Sequence, residues 1–91
     1  METKTEKDLI LNVRISAASK TVWEGEAYSV TSKNSSGDFD ILGMHSNFIT
    51  LIRNEPIVVK MLDGTDKKYD FKQSVILVTD NEVKIFADIP E

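Results

Sequence analysis

The sequence predicts an all-β domain: a small two-sheet β-sandwich, or flattened barrel, of about eight to ten short strands. Three observations lead there. Short alternating or β-branched apolar runs recur along the chain. Turn-forming residues break them at regular spacing. No window of ten or more residues carries an apolar stripe at the 3.6-residue period of a helix.

The elements follow in order. Met1 to Asp8 is polar and expected to be a flexible tail, leaving residues 9–91 as a single domain. From Leu9 to Ser16, Leu9, Leu11, Val13 and Ile15 fall on one face and Asn12, Arg14 and Ser16 on the other, the pattern of a half-buried strand. Ile10 breaks the polar face, so the start of this strand is expected to be covered on both sides. Ser16 to Lys20 has room for one helical turn at most. Thr21 to Glu24 is β-prone around Trp23, and Gly25 predicts a bulge or bend. Tyr28 and Val30 alternate with Ser29 and Thr31. Lys33 to Gly37 reads as a loop, Phe39 to Leu42 as a short strand, Gly43 to Asn47 as a turn, and Phe48 to Ile52 as another strand.

Beyond Arg53, Pro56 holds Glu55 extended, and Ile57 to Leu62 is a further strand. Asp63-Gly64 is a hairpin signal with both positions at positive φ. Tyr69 and Phe71 alternate with Lys68 and Asp70 on the returning strand. Ser74 to Thr79 is a near-continuous apolar run, the pattern of a strand covered on both faces. Asp80-Asn81 is a two-residue turn, and Val83 and Ile85 mark the last strand.

Composition narrows the function. The chain has 91 residues, room for one domain. With 41% hydrophobic residues it has enough for one core. It has no cysteine, which removes disulfides and thiolate metal sites and fits a reducing cytosol without requiring one. No apolar run approaches the roughly 20 residues of a membrane-spanning helix. The N-terminus lacks an apolar signal core, so a soluble, cytoplasmic protein is expected. The net charge is −4 and the eleven basic residues are scattered, which argues against nucleic acid as a partner.

Few residues have catalytic chemistry within reach. His45 is the only histidine. Ser46 beside it and Asp38 and Asp40 nearby do not make a triad, because adjacent residues rarely form one and no nucleophile elbow is present. A turn histidine capping a backbone carbonyl, or an interface histidine, accounts for it better. Asp38 and Asp40 share one strand face, but no calcium-loop pattern follows and a solvated acidic edge is expected. The four glycines are too far apart to cradle a phosphate. Trp23, Tyr28 and Phe39 are expected in the core rather than in a stacking platform. Neither metal nor cofactor is expected, and the domain is read as working through its surface.

In order along the chain, several segments resemble one family, the N-terminal β-sandwich domain of the epsilon subunit of F-type ATP synthases. Leu11-Asn12-Val13-Arg14-Ile15-Ser16 is similar to its opening strand, and Val22-Trp23-Glu24-Gly25-Glu26-Ala27 to its aromatic-x-Gly step. Val30-Thr31 followed by Gly37-Asp38-Phe39-Asp40-Ile41-Leu42 resembles its Gly-Glu-Leu-Gly-Ile-Tyr region. His45 stands where the family's Pro-Gly-His-Ala-Pro has its histidine, and Thr50 where Leu-Leu-Thr has its threonine. Val83-Lys84-Ile85-Phe86-Ala87-Asp88 resembles the closing strand. There are departures: Gly43 and Asn47 replace the two turn prolines, Met44 the glycine before the histidine, and Gln73-Ser74 a Gly-Gly pair.

The resemblance implies a non-catalytic rotor part of the central stalk, docking on the gamma subunit and on the polar loops of the c-ring, at the membrane only through the complex. It places Ala17, His45 and Thr50 toward gamma. It places Asp38 and Phe39 toward the ring, where the carboxylate is expected to meet an arginine. The inhibitory C-terminal helical hairpin is expected to be absent after Glu91, and with it ATP binding. The alternative is a free-standing β-sandwich module binding a peptide or carbohydrate around Trp23, Tyr28 and Tyr69.

Overall fold

A computed structural model describes residues 9–18 and 20–88; the expected N-terminal tail lies outside the described residues. Eight strands form: β1 (Leu11–Ala17), β2 (Lys20–Asn34), β3 (Gly37–Leu42), β4 (Phe48–Arg53), β5 (Pro56–Met61), β6 (Asp66–Asp70), β7 (Gln73–Thr79) and β8 (Glu82–Ala87). They hydrogen-bond in the order β4-β7-β8-β1-β2-β5-β6, with β3 also on β2. All pairs are antiparallel except β1 with β8.

The fifteen-residue β2 makes this continuous path into two layers. Its first half, to Ala27, pairs with β1. From Ser29 onward β3 takes over that edge, while β5 holds the other. The first layer is therefore β4-β7-β8-β1 with the start of β2, and the second is β3, the end of β2, β5 and β6. Ala27 pairs with Met61 and Ser29 with Lys60, so Tyr28 is an extra residue in the strand. Tyr28 and Ser29 both lie on the side opposite the core beside Lys60, Tyr28 exposed and Ser29 covered, and the inward set changes from Trp23, Gly25 and Ala27 to Val30 and Ser32. A bulge bends and twists a strand, and this one carries β2 from one layer into the other. It also corrects the expectation that Tyr28 and Val30 share a face: Val30 is buried and Tyr28 is exposed.

The core is aliphatic. Leu11, Val13 and Ile15 of β1 meet Ile76 and Val78 of β7, Val83 and Ile85 of β8, and Ile57 and Val59 of β5. Burying one such side chain contributes roughly 1.5–3 kcal/mol. The β7 run behaves as read: Ser74, Ile76 and Val78 are buried, and the alternate residues are half-covered on the other face.

Two seams close the sandwich. On one side Lys67 Nζ, on the inward side of edge strand β6, lies 5.8 Å from the centre of the Trp23 ring. On the other, Phe39 of β3 meets Phe48 of β4 edge-to-face at 5.8 Å. There Asn34 Nδ2 donates to Thr50 Oγ1 at 2.9 Å.

The turns show where local reading succeeds and fails. Gly25 neither bends nor interrupts β2; it pairs with Val13. A Cβ there would meet Cζ2 of Trp23 at 2.7 Å, so the missing side chain makes room for the ring. The bulge beside it is at Val22, between the Ile15–Trp23 and Ser16–Thr21 pairs. Ser16, Ala17 and Lys20 are strand, and Ala18 turns at φ 54°, so no helical turn forms among the described residues there. The Lys33–Gly37 loop shrinks to Ser35-Ser36, because β2 and β3 extend to pair Asn34 with Gly37.

At the β5–β6 hairpin only Gly64 takes positive φ, 91°. The bonds Gly64 N to Met61 O and Met61 N to Thr65 O make it a three-residue loop with a glycine bulge, not a two-residue turn with two positive-φ positions. Asp63 Oδ1 accepts from the Thr65 hydroxyl and amide, which hold its carboxyl below the usual value of 3.8. That stabilisation is present above the unfolded value and is lost as pH falls through the lower folded one. The group is fully exposed, so the effect on the fold is slight.

Candidate functional site

Four of the five residues singled out from the sequence cluster at the β3–β4 edge. Phe39, Phe48 and His45 form a run of rings: Phe39 to Phe48 at 5.8 Å, and Phe48 to His45 at 4.9 Å. Phe39 is half-buried against the core, because the inward face of β3 carries Phe39 and Ile41. Thr50 faces inward on β4, half-buried under Asn34. Asp38 and Asp40 share the outward face, as expected from their spacing. Asp40 accepts from Thr31 Oγ1 at 2.6 Å, and Asp38 stands opposite Lys33. Ala17 is elsewhere. It pairs with Ala87, whose row runs through Ser74 to Ile52, at the opposite end of the sheet from His45.

The His45 turn is held by two asparagines. The Met44 amide donates to Asn81 Oδ1 at 2.7 Å, and the Asp80 amide donates to Asn47 Oδ1 at 2.8 Å. The β3–β4 and β7–β8 turns are thus clasped to each other. Asn47 occupies the place of the second proline in the resemblance, and its side chain supplies a constraint where the ring is missing. His45 Nδ1 lies 2.7 Å from Ser46 O. A carbonyl only accepts, so Nδ1 carries the hydrogen. This is the capping contact given from the sequence as the alternative to an interface histidine.

Among the described residues, no three His, Cys, Asp or Glu side chains are placed to hold a metal ion. No described helix is long and apolar enough to cross a membrane. Trp23 and Phe39 pack against the core and Tyr28 faces outward, so these rings form no common platform.

A further feature escaped sequence reading: the outward face of the first layer. Two rows of paired residues cross it. One runs Ile49, Leu77, Lys84, Arg14, and the other Leu51, Val75, Phe86, Ser16. Ile49 is 65% exposed, and Leu51 and Phe86 are exposed as well. In Phe48–Ile52 both faces are apolar, which was the available signal; only the sheet order joins it to Phe86.

Comparison with known proteins gives these features a context. The sequence model of the family described as ATP synthase, Delta/Epsilon chain, beta-sandwich domain matches residues 10–91. The chain belongs to that family. The ATP synthase epsilon chain of Streptomyces avermitilis is 28% identical over 81 residues, covering 89% of this chain and 65% of the relative. That of Clostridium botulinum is 27% identical over 79 residues, covering 87% and 59%. The chain therefore spans somewhat under two thirds of the length of these relatives.

Among solved structures, a chain of the Euglena gracilis mitochondrial ATP synthase (OSCP, F1 and c-ring) superposes with TM-score 0.79 at 14% identity, covering 85% of this chain and 49% of that one. A chain of the Tetrahymena thermophila mitochondrial ATP synthase central stalk and c-ring gives 0.70 at 12%, covering 85% and 62%. At such identities the likeness shows the fold. It agrees with the family and with the all-β sandwich expected from the sequence.

Proposed function

We propose that this delta/epsilon-family domain is a non-catalytic part of the central stalk of a proton-translocating F-type ATP synthase. It docks on the gamma subunit and the c-ring and helps them turn together, so that ion flow drives ATP synthesis. Its place is cytoplasmic, peripheral to the membrane and held there by the complex.

The observation carrying this reading is the family match over residues 10–91. The exposed Ile49, Leu51 and Phe86 on a domain otherwise rich in charge support it, since exposed apolar clusters of this kind mark protein interfaces. Gamma takes the first-layer face together with the adjacent His45; Thr50 backs this edge from the inward side of β4, and Ala17 borders the far end. The ring takes the β3 end, with Asp38 as the exposed carboxylate and Phe39 as its half-buried support. A peptide- or carbohydrate-binding module is disfavoured, because Trp23 and Tyr28 lie on opposite faces of β2.

The test is co-purification and calorimetric titration with cognate gamma. A stoichiometric complex is expected; no complex under any salt condition overturns the proposal. Asp38→Arg is expected to weaken association with the assembled c-ring about tenfold or more, the loss of a charge-assisted pair, while gamma binding stays unchanged. Unchanged ring association would remove Asp38 from the interface.

A further inference from the structure

An edge strand offers unpaired N–H and C=O groups to any further strand, and proteins blunt such edges with charges, bulges and inward-pointing charged residues. Among the described residues four strands have a free edge, and three of these edges are blunted. β6 reads Asp-Lys-Lys-Tyr-Asp and turns Lys67 inward toward Trp23. β3 carries Asp38 and Asp40. The start of β2, paired there with β1 alone, has Glu24, Glu26 and the bulge at Val22. β4 has none of these devices. It pairs with β7 alone, and Phe48-Ile49-Thr50-Leu51-Ile52 contains no charge, glycine or proline. Beside Thr50, Leu51 and Arg53 this edge opens onto a groove walled by Lys33, Asn34 and Ser35. Ile49 and Leu51 are exposed on its outward side.

We propose that the free edge of β4 pairs with β4 of a second copy of this chain, the two strands running antiparallel about a two-fold axis at Thr50. The occupant follows from the strand's self-complementarity. Side chains directly opposite each other in a sheet share a face, so a symmetric antiparallel pair is centred on a residue. Centred on Thr50, Ile49 meets Leu51 of the second copy and Phe48 meets its Ile52, each pair occurring twice, with Thr50 against Thr50 on the axis. Arg53 falls opposite Asn47 of the second copy, so no like charges meet. Centring on Leu51 instead sets Ile49 against Arg53, and centring on Ile49 carries Leu51 and Ile52 past the start of the other strand. With Thr50 at the centre, the Ile49–Leu77 and Leu51–Val75 pairs of the two copies join into one apolar strip across the axis. A two-fold contact of this kind is closed, and it occupies the one unguarded edge of each copy, so association stops at a dimer. Only one strand's length meets, so pairing is weak, with a Kd on the order of 10–100 μM. The inference stands whether or not gamma occupies the neighbouring face.

The experiment is sedimentation equilibrium of the chain alone, without gamma, for the wild type, Ile49→Lys and Phe86→Lys. Thermal melting of each confirms folding; should Ile49→Lys not melt cooperatively, Leu51→Lys takes its place. The wild type is expected to show a monomer–dimer equilibrium and no larger species. Ile49→Lys gives β4 the kind of charge the other edges carry and is expected to weaken the dimer at least tenfold. Phe86→Lys, on the same face but two strands from the edge, is expected to leave it within twofold. Register is read by disulfide formation. Ile49 and Leu51 of opposite copies have Cβ atoms about 5 Å apart, whereas Ile49 and its own counterpart lie on a diagonal of about 7–8 Å. A mixture of Ile49→Cys and Leu51→Cys chains is therefore expected to cross-link at least tenfold faster than either variant alone. A wild-type chain that stays monomeric at about 1 mM overturns the inference. So does a dimer lost equally in Ile49→Lys and Phe86→Lys, or single-cysteine chains that cross-link as fast as the mixture, since both mean stacking of apolar faces rather than pairing of edges. None of these results touches the central-stalk function, which is read with gamma present.

Discussion

At the scale of single residues, two positions carry strain that the fold does not require. Met44 sits at φ 65° with its side chain more than half exposed. The left-handed region costs a non-glycine residue about 1–2 kcal/mol. Glycine adds back roughly 0.5–1 kcal/mol through the freedom of the unfolded chain. Met44→Gly is therefore expected to leave stability unchanged or raise it by up to about 1 kcal/mol, whereas Met44→Ala gains nothing. Denaturant unfolding of the two variants checks this; a clear loss in Met44→Gly alone would mean that Met44 is anchored by packing. Ser74 is the second position. Its hydroxyl is fully buried and has no hydrogen-bond partner among the described residues. An unsatisfied buried polar group costs about 1–3 kcal/mol, so Ser74→Ala is expected to raise the unfolding midpoint. A drop would show that the hydroxyl is satisfied in solution. The sequence pointed to both residues only as departures from a family pattern; their strain depends on φ and burial, which local composition does not encode.

At the scale of elements, the strands were legible because each alternates or is β-branched over its own length. Leu11 to Ile15 and Val83 to Ile85 show the inward set directly. What local reading missed on β2 was continuity and phase. Gly25 looked like an interruption and is a place for the Trp23 ring, while Tyr28 looked like an inward residue and is the extra residue of a bulge. The phase change depends on a non-local partner: β1 holds the first part of β2, and β3 and β5 hold the rest. Because side chains alternate with period two, a one-residue slip reverses every face. Deleting Tyr28 would leave Ala27–Met61, Ser29–Lys60 and Val30–Val59 as one unbroken ladder and remove the bend that carries β2 between the layers, and is expected to abolish cooperative unfolding. Tyr28→Ala keeps the register and is expected to cost no more than about 1 kcal/mol, since the ring is exposed. Circular dichroism melts of the two variants test this; a cooperative melt for the deletion would show that the layers do not depend on the bulge.

At the scale of the whole molecule, the resemblance assigned His45 and Thr50, with Ala17, to one interface and Asp38 and Phe39 to another, and the structure brings these four to the β3–β4 edge, with Phe48 between Phe39 and His45. Ala17 does not join them. The broad lateral face was out of sight, because its rows draw on residues from four strands. The account's central claim is that this face, rather than the outer face of β5 and β6, is covered by gamma. The chain contains no cysteine, so a single introduced thiol reports on one place. The most direct measurement is the labelling rate of Ile49→Cys, with and without gamma, against Lys68→Cys. The account predicts rapid labelling of both free proteins and strong protection of Ile49→Cys alone in the complex. Equal labelling of Ile49→Cys in the free and gamma-bound forms would contradict it.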